Sequence, residues 1–134
     1  RILENIVYLE LLHRQQKAGA WDRDEIRCFS DQAGRQSHVA NKGRETQMRA
    51  LDSVLNGRPC TYLKMDVEGA EREAIAGARQ TIERDRPKLN IVAYHRSEDF
   101  FELPLLIHSL CADYALYLRH HPYVPAWDTN LYAR

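Results

Sequence analysis

The sequence predicts an α/β domain on a mostly parallel sheet. Three observations carry this. From Cys60 onward, strand and helix patterns alternate, as they do in βαβ units. The strand pattern Thr61–Val67 runs through Asp66 and Glu68-Gly69 into a long amphipathic stretch. The last two strand patterns have only a loop between them, which predicts antiparallel neighbours.

The elements follow in order. Ile2, Leu3, Ile6, Leu9 and Leu12 recur at spacings of three and four, which predicts a helix over 2–12. Ala18–Trp21 reads as the end of a short strand. Glu25–Phe29 alternates polar and apolar residues, as a half-buried strand does. Asp31–Gly34 and Asn41–Gly43 read as turns. Ser37–Ala40 and Thr46–Leu51 read as short strands, so 25–51 predicts a small antiparallel excursion.

Next comes the Thr61–Val67 strand. The helix after it is predicted over Ala70–Arg84, with Ala74, Ile75, Ala78 and Ile82 on one face and charges elsewhere. Pro87 stops it. Leu89–Tyr94 predicts a buried strand ending at His95. Ser97 and Asp99 are capping residue types before a helix over Phe100–Cys111. Pro104 places that helix's true start near Leu103. Tyr114–Arg119 and Asn130–Ala133 are the final strands.

Composition narrows the function classes. A chain of 134 residues predicts one domain, 1–134. Nineteen basic residues balance nineteen acidic ones. That balance argues against nucleic acid as a partner and against a disordered tail. No apolar run approaches the ~20 residues of a membrane span. Cys28, Cys60 and Cys111 are sparse and odd in number, which fits a reducing, cytoplasmic compartment. The chain opens on Arg1 with no leader pattern, so it reads as a cut through a longer protein.

Ligands of open α/β sheets bind beyond the carboxyl ends of the strands. Two predicted strands end in polar groups, Asp66-x-Glu68-Gly69 and His95. Paired in parallel, they place Asp66 and His95 about 5 Å apart. A carboxylate beside an imidazole can orient it for acid–base work. The bland readings stand beside this. Asp66 and Glu68 can simply cap the following helix. His95 can be a satisfied strand-end histidine. Glu71 and Glu73 read as solvated helix-face charges. His120 and His121 face opposite ways, so they make no metal pair, and no ligand spacing predicts a metal. A strand ending in two acids also admits a magnesium-dependent phosphohydrolase, although position 70 is Ala rather than a hydroxyl residue.

The run Tyr62-Leu63-Lys64-Met65-Asp66-Val67-Glu68-Gly69-Ala70-Glu71 resembles the central signature of the FkbM family of S-adenosylmethionine-dependent methyltransferases. Gly77-Ala78, Arg86–Leu89, Tyr94-His95, Trp127–Thr129 and Leu131–Ala133 are similar to later family segments, and Lys17–Asp22 and Leu51-Asp52 to earlier ones. The resemblance implies a class I methyltransferase (Rossmann-like) fold with a seven-stranded sheet. It also implies truncation at the N-terminus. The family's glycine-rich cofactor loop would precede Arg1, and no Gly-x-Gly occurs in the 134 residues. The chain is expected to be a single partial methyltransferase domain, inactive alone.

By the same resemblance, Ala20 and Trp21 lie near the adenine of S-adenosylmethionine. Trp21 reads equally as a rim or core aromatic. Asp66 faces the methionine part of the cofactor, and His95 and the His120–Thr129 loop line the acceptor side. The implied reaction is O-methylation of a sugar, glycolipid or polyketide hydroxyl. Asp66 or His95 takes the hydroxyl proton, with Glu68 supporting. The alternative is a noncatalytic domain, or a fragment completed by a partner chain or a second copy across an exposed sheet edge.

Overall fold

The computed structural model describes residues 18–29, 44–120 and 129–134. The predicted helix over 2–12, both predicted turns and the strand at Ser37–Ala40 lie outside them. So does the loop 121–128.

Two sheets form. The first contains β1 (Gly19–Ala20), β2 (Glu25–Phe29) and β3 (Arg44–Arg49) in the order β1-β3-β2. β2 and β3 are antiparallel, with Arg27 opposite Thr46, so the predicted excursion is present. β3 then turns into a short helix that the pattern did not suggest, α1 (Leu51–Leu55), with Leu51 and Leu55 buried.

The second sheet contains β4 (Tyr62–Met65), β5 (Lys88–Val92), β6 (Leu116–His120) and β7 (Thr129–Ala133), in the order β4-β5-β7-β6. β4 and β5 are parallel, with Leu63 opposite Leu89 and Met65 opposite Ile91. β7 inserts between β5 and β6, antiparallel to both. Three strands therefore share one direction and one opposes them. The last two strands are antiparallel neighbours, as their short connection requires. The described strands thus divide into a three-stranded and a four-stranded sheet.

β4 and β7 alternate between buried and less buried residues. Leu63 and Met65 of β4 and Leu131 of β7 enter one core with Ile75, Ile82 and Ile107 from the helices. Fully burying a side chain of this size is worth roughly 1.5–3 kcal/mol, so this layer anchors the strand ends that carry the polar groups.

The predicted Ala70–Arg84 helix is two helices, α2 (Glu71–Ala76) and α3 (Arg79–Asp85). Asp52 explains the break. Its N–H donates to the Gly77 carbonyl at 2.8 Å. Its carboxylate accepts the N–H groups of Gln80 and Thr81, each at 2.9 Å. In a continuous helix those two donors would bond Ala76 and Gly77. Asp52 substitutes for them and caps α3 from a distant part of the chain.

Gly77 also sets how closely the junction of α2 and α3 approaches the ends of β1 and β3. A Cβ at this position would lie 1.9 Å from the Trp21 carbonyl oxygen and 3.2 Å from the Ala50 Cα. Only hydrogen fits there.

The last helix, α4 (Asp99–Leu110), begins four residues before the expected Leu103 and holds Pro104 inside it. Neither Ser97 nor Asp99 caps it. The N-cap is Glu98, without a side-chain hydrogen bond, and Asp99 is the first helical residue and is buried.

Candidate active site

β4 and β5 are parallel and in register, so their carboxyl ends open on the same side of the sheet. The chain leaves β4 through Asp66 and Val67 and then makes a sharp turn. Glu68 adopts φ 53° and Gly69 φ 91°. A left-handed glutamate is uncommon, and such outliers cluster where the surrounding structure imposes them. Gly69 leaves its Cβ space to Arg96, whose Nε would be 3.4 Å from an added methyl.

The turn delivers three carboxylates to one imidazole. His95 Nε2 lies 3.4 Å from Glu68 Oε2 and 3.8 Å from Asp66 Oδ1. His95 Nδ1 lies 2.8 Å from Glu71 Oε1. The same Glu71 oxygen accepts the Val67 N–H at 3.1 Å. Tyr94 packs against the imidazole, with ring centroids 4.6 Å apart. The sequence-based pairing of Asp66 with His95 is therefore realised, and Glu68 joins it.

Glu71 corrects an expectation. It reads as a solvated helix-face charge in sequence, yet its residue is 1% exposed. The cause is local. The turn at Glu68-Gly69 starts α2 directly under the end of β5, so the first helical side chain points inward. Only its spacing of three from Glu68, and its place at the first turn, hinted at this. The N-cap of α2 is Ala70, whose own side chain makes no capping hydrogen bond.

The electrostatics follow from this crowding. Burial alone would push the imidazole of His95 down. The Glu71 hydrogen bond, the Glu71 charge and then those of Glu68 and Asp66 outweigh it, so the pKa is raised. Asp99, on the neighbouring α4, is held by burial and by the Glu71 charge well above the usual carboxylate range, at about 6. Glu71 Oε2 and Asp99 Oδ2 are both buried without a hydrogen-bond partner.

The residues expected near a nucleoside lie on the first sheet. Ala20 is half-buried and Trp21 buried. The Trp21 N–H donates to the Arg49 carbonyl at 3.0 Å, and the Arg27 guanidinium lies 4.3 Å over its ring. His120 sits exposed near the end of β6 and bonds Thr129 Oγ1 through Nδ1 at 2.9 Å. His121 and Trp127 lie outside the described residues.

With this geometry in view, residues 5–125 match the methyltransferase FkbM domain family. The chain belongs to the FkbM methyltransferase family. It is similar to the crystal structure of methyltransferase FkbM from Methylobacillus flagellatus KT, at 34% identity and a TM-score of 0.70. That similarity covers 89% of this chain and 28% of the other, so the chain spans under a third of that protein's length. No curated protein matches the chain. The mixed α/β architecture is similar to that of an FkbM methyltransferase. Among the described residues, no helix is long and apolar enough to cross a membrane.

Proposed function

We propose that the protein carrying this chain transfers a methyl group from S-adenosylmethionine to a hydroxyl of a sugar, glycolipid or polyketide, and that Asp66, Glu68 and His95 form the acceptor end of its site. One observation carries this reading. In an FkbM chain, the carboxyl ends of two parallel strands bring those three side chains together, with the two carboxylates on the Nε2 side of the imidazole. Methyl transfer to a hydroxyl needs the acceptor aligned and its proton removed. This cluster can do both.

The residues present suit the cofactor in charge. Its methionine part carries a sulfonium and an ammonium against one carboxylate, a net positive charge, and three carboxylates crowd this end of the sheet. Asp66, at the end of β4, would hold that part. Ala20 and Trp21 would contact the nucleoside. The indole is buried and carries Arg27 on one face, so the nucleoside would meet its rim. When bound, the cofactor supplies an electrophilic methyl group.

The chain's own residues do the rest. Glu71 fixes the ring of His95 by accepting from Nδ1. Nε2 then faces the carboxylates of Asp66 and Glu68. The acceptor O–H would lose its proton to this cluster as its oxygen takes the methyl group, the methyl–sulfur bond breaking and the sulfur leaving as a neutral thioether. Cys28, Cys60 and Cys111 are all free thiols, which supports a cytoplasmic location. Family membership favours methyl transfer over the phosphohydrolase reading.

The test is labelled S-adenosylmethionine with a panel of glycans, glycolipids and polyketides and the full-length protein. Label in a hydroxyl-derived ether supports the reading. Neither cofactor binding nor transfer rejects it. A second reading rests on β4, whose outer edge has no partner strand among the described residues. Such an edge accepts a strand, from elsewhere in the protein or from a partner. Sedimentation of a clean monomer would remove the partner-completed form.

A further inference from the structure

Glu68, Asp66 and His95 each turn one potential ligand atom toward a common point. Those atoms, two carboxylate oxygens and an imidazole nitrogen, lie within 4.8 Å of one another. The gaps of 3.4 and 3.8 Å from Nε2 exceed ordinary hydrogen-bond lengths. They match the separation of neighbouring ligands held about 2.1–2.5 Å from one ion.

A second observation points the same way. Glu71 is 1% exposed and directs its carboxylate at the back of the same imidazole, 2.8 Å from Nδ1. Metal-binding histidines almost always carry a carboxylate or carbonyl on their other nitrogen, which fixes the tautomer. With the proton on Nδ1, the Nε2 lone pair faces Asp66 and Glu68. The remaining Glu71 oxygen, Oε2, is buried with no hydrogen-bond partner.

We infer that Asp66, Glu68 and His95 form a divalent-cation site, with Glu71 as the residue that positions His95 for it. Two oxygens, one imidazole and open positions suit an ion of the magnesium and manganese class. The sequence alone predicts no metal here, because the ligands come from two strands and one left-handed turn rather than from a short motif. The site stands on geometry and does not require methyl transfer. Within the reading above, it defines the acceptor as one that offers hydroxyl oxygens to the ion. The ion would lower the pKa of that hydroxyl, and Nε2 would serve as a ligand while the second carboxylate oxygen of Asp66 or Glu68 would receive the proton.

The experiment is titration of Mn²⁺ into the metal-stripped full-length protein, read by electron paramagnetic resonance and calorimetry. It is repeated with Asp66→Asn, Glu68→Gln, His95→Ala and Glu71→Gln, each checked for folding by circular dichroism. The expected result is one site per chain that Mg²⁺ displaces. The three ligand variants should lose it, and Glu71→Gln should weaken it about tenfold. A folded wild type that binds no Mn²⁺ at millimolar concentration overturns the inference. So does binding that persists unchanged in the ligand variants. The methyl-transfer reading fails separately: Mn²⁺ bound at these residues without transfer to any acceptor leaves the site standing and removes that reading.

Discussion

Glu71 Oε1 bridges two strand ends: it accepts from the Val67 N–H at 3.1 Å and meets His95 Nδ1 at 2.8 Å. One buried oxygen thereby ties the turn after β4 to the end of β5. The geometry of Asp66, Glu68 and His95 depends on that tie.

Removal of this carboxylate has a specific cost. Glu71→Ala leaves a buried N–H and an imidazole nitrogen without partners. Each unsatisfied group costs about 1–3 kcal/mol, so destabilisation of about 2–6 kcal/mol is expected in urea unfolding. Glu71→Gln keeps an acceptor and should lose less than half of that. Equal losses in both variants would mean that the charge, rather than the hydrogen bonds, stabilises the site.

Two glycines should respond differently to a single methyl group. Gly77→Ala drives a Cβ into the Trp21 carbonyl at 1.9 Å, where backbone must move. Overpacking of this kind costs about 3 kcal/mol or more. Gly69→Ala meets only the Arg96 side chain at 3.4 Å but sits at φ 91°. Its cost should be about 1–2 kcal/mol. Thermal unfolding of the pair checks the order.

Asp52→Ala tests the helix break. The variant leaves the Gln80 and Thr81 N–H groups uncapped, at a cost of about 1–2 kcal/mol. Hydrogen exchange at Gln80 and Thr81 should quicken, while the amides of β5 stay protected.

Asp99 gives stability a pH dependence. Its folded-state pKa, about 6, lies above that of an unfolded carboxylate. The native state therefore holds this proton more tightly. Its contribution is full below about pH 4, is lost as pH rises to about 6, and is constant above that. Asp99→Asn should remove this fall, raising stability at pH 7 by about 2 kcal/mol relative to its effect at pH 4. Urea midpoints at the two pH values measure it. An equal effect at both would contradict the assignment.

Much of this was legible in the sequence, and the misses have physical causes. The β4 and β5 strands, their parallel pairing and the meeting of Asp66 with His95 follow from alternation and from an acid and a histidine at strand ends. The chain around Gly77 looked like continuous helix because helical periodicity is local. Its interruption comes from Asp52, whose hydrogen bonds no periodicity reports. Glu71 looked solvated because a charged residue in a first helical turn usually is. The left-handed turn at Glu68-Gly69 sets which way that turn faces, and a pattern of apolar residues does not record it. Pro104 was expected near a helix start, but α4 extends one turn earlier, where Asp99 is buried against the Glu71 charge.

The most direct test of the account is turnover of Asp66→Asn in the full-length protein, with labelled S-adenosylmethionine and an accepted hydroxyl substrate. The account predicts loss of at least about 100-fold in kcat, with the circular dichroism spectrum of the wild type. Wild-type turnover in that variant would contradict the placement of the active site at the ends of β4 and β5.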